Sequence, residues 1–184
     1  MQERVIKMET QHLQLRKFKE SDLFDFYEYA CQEDVGINAG WKPHEKITES
    51  MDILKNFIAS DEVLAIEEKA SHKVIGSIGL HLNDRYQRGV ASRELGYVLN
   101  HDYWGRGYMS EAVHAVLTIG FLHMNLEIIT CGHYPENNRS RRVIEKNNFK
   151  YEGCIRAHSR LYNGERKDLC MYSITRDEFM QVLE

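Results

Sequence analysis

A Gly-Arg-Gly segment, residues 105–107, stands between a stretch with strand character and a stretch with helical periodicity. The preceding SRELGYVLN is typical of a strand, and the residues after Ser110 repeat apolar side chains at helical spacing. Glycine costs backbone entropy, so a turn that uses two of them needs unusual dihedral angles or a close approach by another group. We therefore predict a tight strand-to-helix turn with exposed N–H groups, where the helix dipole favours an anion.

The predicted helix start is a candidate phosphate site. Residues 105–110 form the predicted pyrophosphate cradle, to which Arg106 and the hydroxyl of Ser110 add side-chain contacts. The alternative is that the glycines only form a turn and a helix cap, because a short glycine motif is weak evidence. The dinucleotide fingerprint requires a third glycine where Ser110 stands, and the nucleotide P-loop requires Gly-Lys-Ser/Thr, which this segment lacks.

Composition narrows the class of protein. The chain has 184 residues and a formal net charge of −4, which argues against a general nucleic-acid binder. No apolar run is long enough to span a membrane, and the first ten residues lack the apolar segment of a signal peptide. The four cysteines form no C-x-x-C pair, so neither zinc nor a disulfide framework is expected, and reduced thiols in the cytoplasm are the simplest interpretation.

Strand and helix patterns alternate along the chain, which predicts one mixed α/β domain over residues 1–184. Helices are expected after caps at Ser21 and Thr48, and Thr175 with Glu178 predicts a capping box on the final helix. The dipeptide Asn163-Gly164 predicts a hairpin turn. Strands are predicted at LQLRK, VLAIEE, VIGSIGLHL, SRELGYVLN, LEIITCGHY and on both sides of that hairpin turn.

Two blocks, ELGYVLNHDYWGRGYMSEAV and PENNRSRRVIEKNNFKYEG, together resemble the GNAT superfamily of acyl-CoA N-acyltransferases, most closely its ribosomal-protein N-terminal acetyltransferase branch. The resemblance extends from LQLRKFKESD to YSITRDEF. It implies an α/β (α+β) fold of the GNAT type, a central twisted mixed β-sheet with helices on both faces. The sheet is expected to splay where the strands from Ser92 and Leu126 run side by side, which admits the cofactor.

The resemblance also implies the cofactor residues. The family signature Gln/Arg-x-x-Gly-x-Gly/Ala corresponds to residues 104–109, where Gly107 matches, while Trp104 and Met109 depart from the pattern. An exposed strand edge before the loop suits the amides of the pantetheine arm of acetyl-CoA. The implied cofactor-binding residues are Tyr97, Val98, Leu99, Gly105, Arg106, Gly107, Tyr108, Met109, Ser110, Asn137 and Ser140.

The second block begins with Asn137 and Ser140, which match the Asn-x-x-Ser of the family. The resemblance implies that Asn137 hydrogen-bonds a pantetheine amide. The alternatives are that Asn137 is a helix N-cap and Ser140 a surface serine. Asn148 stands where the family usually has glycine. Among the other residues, asparagine is the one that most often adopts the left-handed conformation of a helix end.

Acetyl transfer from acetyl-CoA to a primary amine, by direct attack in a ternary complex, is the implied reaction. Glu94 is the candidate base for the amine, and the alternative is a strand glutamate in a salt bridge. Ser140 is the candidate proton carrier for the leaving thiolate, because the usual tyrosine position is occupied by Ile144. Proximity alone could replace a strong acid, and a catalytically inactive CoA-binding module of the same fold is the alternative function.

The expected partner is an amine acceptor, either a protein N-terminus or a small molecule. No nucleic-acid or membrane partner is expected. No metal is expected either, since the nine histidines show no metal-ligand spacing. His133 is a candidate for the acceptor site or, alternatively, a structural histidine. Homodimers are a further expectation from the family resemblance.

Overall fold

The computed structural model describes residues 8–60, 62–82, 85–86 and 89–183. The strands are β1 (Met8–Glu9), β2 (Leu13–Lys17), β3 (Val63–Glu68), β4 (Val74–Leu82), β5 (Ser92–Leu99), β6 (Ile128–His133), β7 (Lys150–Arg160) and β8 (Arg166–Thr175). The helices are α1 (Leu23–Ala30), α2 (Glu33–Ala39), α3 (Ile47–Ser60), α4 (Tyr108–Thr118), α5 (Asn138–Lys146) and α6 (Arg176–Leu183). A π-helical turn, Ile119–His123, continues α4.

The strands follow the order β1-β2-β3-β4-β5-β6-β8-β7 in one mixed sheet. β5 and β6 pair in parallel from Ser92 and Ile128 to Leu95 and Cys131. Antiparallel pairing joins β1 to β2, β2 to β3, β3 to β4, β6 to β8, and β7 to β8. The prediction of an open mixed sheet is confirmed, and the parallel pairing ends at Leu95 although both strands continue beyond their last pair.

Backbone contacts divide the chain into two compact units. The first contains Met1–Gly79 and Tyr97–Ala112, and the second contains Leu80–Gly96 and Val113–Glu184. The chain therefore passes from one unit to the other within β4, β5 and α4. A single domain over residues 1–184 stays a prediction. Among the described residues, no helix has the length and apolar character needed to cross a membrane.

The core of the first unit forms where apolar faces of α1 and α3 meet β3. Phe26 lies at its centre, with ring centroids 5.2 Å from Tyr29 and 5.6 Å from Phe57. Edge-on and tilted ring contacts of this kind stabilise a core beyond the area that they bury. The buried members of this core are Phe18, Phe26, Tyr29, Ala30, Val35, Leu54, Val63, Ala65 and Val74.

In the second unit, the π-helical turn after α4 packs closely on the sheet. A Cβ at Gly120 would lie 2.7 Å from the Cδ1 of Ile129, so a larger residue there would require the end of that side chain to shift. Beside it, Phe121 is fully buried against Phe179 of α6, at 5.2 Å between ring centroids. Thr175 and Glu178 exchange hydrogen bonds at the start of α6, which confirms the predicted capping box.

Most predicted elements are present, and the errors are two helix caps and two short elements that were not predicted. The predicted strands and the Asn163-Gly164 hairpin are confirmed, but β1 and α2 are absent from the predictions. The predicted caps are wrong because Ser21 lies inside a 3₁₀ turn and Thr48 lies inside α3. Asn148 adopts a φ of 62°, which confirms the left-handed end expected after α5.

A buried ion cluster joins β2 to the start of α1. The guanidinium of Arg16 donates to both carboxylate oxygens of Asp22, at 2.7 and 2.9 Å, and its Nε donates to Glu67 at 2.5 Å. Burial lowers the pKa of Arg16, but the hydrogen bonds to Asp22 and Glu67 outweigh it and raise that pKa overall. Asp22 also accepts the backbone N–H of Lys19 at 2.8 Å, so its carboxylate fixes the turn that begins α1.

We predict that Asp22→Asn lowers the free energy of unfolding by about 3 kcal/mol at neutral pH, because it leaves a buried guanidinium without its bidentate partner. Asp52→Asn is the matched control, since Asp52 forms an exposed pair with Lys55 at 3.8 Å. That control should change stability by less than about 0.5 kcal/mol. Chemical denaturation of the three proteins provides the measurement, and equal losses in both variants would contradict the role assigned to the cluster.

Candidate functional site

The glycine loop has the backbone conformation that its sequence suggests. Gly105 and Gly107 have φ angles of +79° and +84°, in the left-handed region that side chains disfavour. Apart from the glycine itself and its two chain neighbours, no described residue has an atom within 4 Å of a Cβ built at either position. The two glycines are therefore needed for their dihedral angles, and the space above them is open to solvent or to a ligand.

α4 begins at Tyr108, directly after the second glycine and two residues earlier than predicted. The N–H of Glu111 donates to the carbonyl of Gly107 at 3.1 Å, which is an i to i−4 bond. The N–H groups of residues 108–110 precede this bond and lie in the first turn, where helical donors have no partner within the helix. The loop and the helix start thus present several donors and the positive end of a helix dipole.

The side chains of the loop divide between solvent and interior. The guanidinium of Arg106 is about half exposed, donates to the carbonyl of Asp102 at 2.9 Å and lies 4.9 Å from the ring centroid of Tyr103. Met109, by contrast, is 6% exposed, so its side chain turns into the interior and only its backbone faces the loop. Arg106 is consequently the cation that the loop itself provides.

Trp104 explains one departure from the family signature. Its Nε1 donates to the carbonyl of Leu99 at 2.8 Å, and its ring stacks on His101 at 4.4 Å with an interplanar angle of 10°. The tryptophan therefore ties the glycine loop to the last residue of β5. Its role in the described contacts is to hold the loop in position.

At the end of β5, the backbone groups along one edge of the strand face β4. Asn100 donates its N–H to the carbonyl of Ile75 at 2.8 Å, and a Cβ at Gly76 would lie 2.3 Å from the carbonyl oxygen of Val98. Backbone groups alternate in direction along a strand, so those of Tyr97 and Leu99 point to the opposite edge. That edge is the one along which pairing with β6 ends at Leu95.

Glu68, at the end of β3, is a residue that no sequence pattern indicated as part of the site. Its carboxylate is 9% exposed and accepts hydrogen bonds from Ser71 at 2.7 Å and from the hydroxyl of Tyr108 at 2.9 Å. Arg106 lies 3.9 Å away. The hydrogen bond from Ser71, the bond from Tyr108 and the charge of Arg106 lower the pKa of Glu68 despite its burial. Glu68 thus connects the β3–β4 turn to both side chains that flank Gly107.

Glu94 lies on β5 within the second unit. Its carboxylate is about one-third exposed and forms a salt bridge with Arg85 at 3.4 Å. A strand glutamate in a salt bridge was the alternative to a general base, and this ion pair agrees with that alternative. The partial exposure also leaves the carboxylate in reach of solvent, so the two roles are compatible.

Asn137 caps α5, as the alternative interpretation expected. Its Oδ1 accepts the backbone N–H of Ser140 at 3.1 Å, which satisfies one of the donors in the first turn. The amide nitrogen of Asn137 is a separate donor group. Ile144 occupies the position where many family members have a catalytic tyrosine. It is 1% exposed and contributes to the core.

His133, at the end of β6, is 5% exposed. Its Nδ1 lies 2.8 Å from the carbonyl of Tyr134, which requires the proton on Nδ1. Its buried Nε2 has no hydrogen-bond partner among the described residues. Over all the residues that the structure describes, no group of three or more His, Cys, Asp or Glu side chains could hold a metal ion.

The chain is similar to known acetyltransferases. Residues 12–150 match the acetyltransferase (GNAT) domain family. The uncharacterized N-acetyltransferase YnaD of Bacillus subtilis is 32% identical over 147 residues, which cover 78% of this chain and 82% of YnaD.

Solved structures share the fold. A GNAT-family acetyltransferase from Bacillus anthracis has a TM-score of 0.84 at 27% identity, covering 94% of this chain and all of that one. The ribosomal-protein-S5-alanine acetyltransferase from Vibrio fischeri has a TM-score of 0.76 at 23% identity, covering 95% of this chain and 98% of that one. The predicted GNAT fold is confirmed.

We predict that Glu68→Gln destabilises the protein at neutral pH by about 1 kcal/mol, because a carboxylate with three polar neighbours becomes a neutral amide. The folded-state pKa of Glu68 lies below the ordinary value of 4.5. Its stabilisation is therefore complete above pH 4.5 and is lost as the pH falls through the folded-state pKa. The difference between parent and variant should shrink in that acidic window.

Urea denaturation between pH 7 and pH 3 measures this difference. Glu20→Gln is the control, since Glu20 is an exposed residue. A stability difference for Glu68→Gln that stays constant over the whole pH range would contradict the lowered pKa as its cause.

Proposed function

Because the chain belongs to the GNAT acetyltransferase family, we propose that it transfers an acetyl group from acetyl-CoA to a primary amine by direct attack in a ternary complex. The observation that carries this proposal is the helix start behind two left-handed glycines, with Arg106 beside it. Acetyl-CoA supplies the activated thioester. The residues of the chain bind it, orient it and move protons.

The pyrophosphate of acetyl-CoA is the part that suits the glycine loop. Residues 105–110 offer first-turn N–H groups, a favourable helix dipole and one cation, and the open space above both glycines allows an anion to approach the backbone. In this proposal Met109 contributes its backbone N–H only. Glu68 acts as a positioning residue because it holds Tyr108 and lies close to Arg106.

The pantetheine arm carries amides that can pair with a strand edge. The backbone groups of Tyr97 and Leu99 point away from β4, which supports this pairing, while Val98 faces β4. The carbonyl of Leu99 accepts from Trp104, which leaves its N–H as the donor for the thioester oxygen. A donor at that point stabilises the negative charge that develops on the oxygen during attack.

Glu94 is the proposed general base. An amine is mostly protonated at neutral pH and must lose a proton before it attacks, directly or through a water molecule. Ser140 is the proposed proton carrier for the thiolate, because buried Ile144 provides no hydroxyl. Thiolate is a good leaving group, so a weak donor is sufficient.

For the acceptor, we propose the amine of a protein N-terminus, with small-molecule amines as the alternative. The fold likeness to an enzyme that bears the name ribosomal-protein-S5-alanine acetyltransferase motivates the first choice. The competing function is a CoA-binding module without catalysis. It predicts cofactor binding without turnover on any amine.

A thiol-release assay with acetyl-CoA tests the function. The purified chain is given peptides with free N-terminal alanine or serine, polyamines and amino sugars, and the acetylated product is identified by mass. We expect CoA release that depends on an amine. Tight binding of acetyl-CoA with no release on the whole panel would favour the inactive module.

The same assay tests Glu94. Glu94→Gln should lower turnover by about 10²-fold at neutral pH with little change in acetyl-CoA affinity, because the base is lost and the shape is kept. Arg85→Gln is the matched control, since it removes the same salt bridge and keeps the carboxylate. Equal losses in both variants, or equal pH–rate profiles for Glu94→Gln and the parent, would remove Glu94 from the mechanism.

Two substitutions separate the roles of Asn137. Asn137→Ala removes the cap and the amide, so it should lose about 1 kcal/mol of stability and about 10-fold in CoA affinity. Asn137→Ser keeps a good capping oxygen and removes the amide donor, so it should keep stability and lose affinity. Calorimetry with CoA and thermal unfolding provide the measurements. Parent-like affinity in Asn137→Ser would restrict Asn137 to capping.

A further inference from the structure

Two of the four cysteines lie opposite each other on neighbouring strands. In the antiparallel pairing of β7 with β8, Cys154 is the direct partner of Cys170. Directly opposed residues in such a pair have Cα atoms about 4.5–5.5 Å apart, which is inside the range of about 4.4–6.8 Å that a disulfide spans. Their side chains project from the same face of the sheet, so the strand register places the two cysteines within reach of a cross-link.

Both thiols are accessible to solvent. Cys154 is exposed and Cys170 is partly exposed. Both residues are present as free thiols. The remaining cysteines are differently situated, because Cys131 is buried in β6 and Cys31 follows α1. Cys154 and Cys170 are therefore the pair that the fold brings together.

The pair also lies in a short regular part of the hairpin. The register shifts between Tyr151 and Gly153 and again between Ile155 and Ser159, so three consecutive pairs stand between two irregularities. Ala157, in the second irregular stretch, has a φ of +52°. The central pair of this regular segment is Cys154 with Cys170. A covalent link at this pair would join β7 to β8 between the two places where their pairing is interrupted.

The chemical surroundings differ for the two sulfurs. Burial raises the pKa of the Cys170 thiol, the Cys154 thiol beside it adds to that effect, and the guanidinium of Arg141 opposes it. Cys154 is the more exposed of the two and is the sulfur that an oxidant in solution reaches first. Cys170 is then the resolving thiol beside it.

We propose that Cys154 and Cys170 form a reversible dithiol–disulfide site that hydrogen peroxide oxidises. The sulfur of Cys154 attacks one peroxide oxygen, which breaks the O–O bond and yields a sulfenic acid and water. The sulfur of Cys170 then displaces that hydroxyl as a second water, forming the S–S bond. The two sulfurs lose two electrons, the two peroxide oxygens gain them, and the two thiol protons leave in the waters. This inference does not depend on the proposed acetyl transfer.

The test uses the full chain, reduced, freed of reductant and treated with a slight excess of hydrogen peroxide. Peptide mapping without reductant should show Cys154 linked to Cys170, with loss of two of the four thiols. A low-molecular-weight dithiol should restore both. The cross-link closes residues 155–169 into a loop, so the midpoint of thermal unfolding should rise by about 5 °C on oxidation.

Cys154→Ser and Cys170→Ser should each abolish the linked peptide and the thermal shift, and Cys31→Ser should keep both. Because both single variants are tested, poor folding of one of them does not decide the result. The proposal is overturned if peroxide leaves both thiols free, if it gives only single-cysteine oxidation, or if the linked peptide joins other cysteines.

Discussion

The parallel pairing of β5 with β6 is the constraint on which the rest of the arrangement depends. Two parallel neighbours cannot be joined by a hairpin, so the chain must cross from the end of β5 back to the start of β6. α4 and its π-helical turn make this crossing, and Gly120 lets the turn approach Ile129 closely. The crossing also requires an abrupt turn after β5. The two left-handed glycines provide it, and the donors of the first helical turn result from it.

The loop that results is held from several sides by ordinary side chains. Trp104 binds the carbonyl at the end of β5, and Tyr108 binds the carboxylate of Glu68 on β3. Met109 anchors the first helical turn in the interior. An anion site built from backbone donors needs such support, because the donors must keep their directions before the ligand arrives. The tryptophan that departs from the family signature is thus part of this support.

Local sequence determined much of this protein. The strand patterns, the Asn163-Gly164 turn, the capping box at Thr175 and the left-handed Asn148 follow from interactions among residues close in the chain, and all were predictable. The glycine loop belongs to the same class, since its dihedral angles are a local property. The fold was predictable from the two blocks that resemble the GNAT family. The roles of Glu94, Asn137 and Ser140 stay predictions.

Only the tertiary structure decided which distant residues meet. Glu68 reaches Tyr108, Arg85 reaches Glu94, and Cys154 faces Cys170, each through strand pairing or packing that no local pattern contains. The cap at Ser21 failed for the same reason, because Asp22 is held by Arg16 on β2 and thereby sets where α1 begins. Propensity acts over a few residues, whereas buried charges and strand register are satisfied over the whole fold.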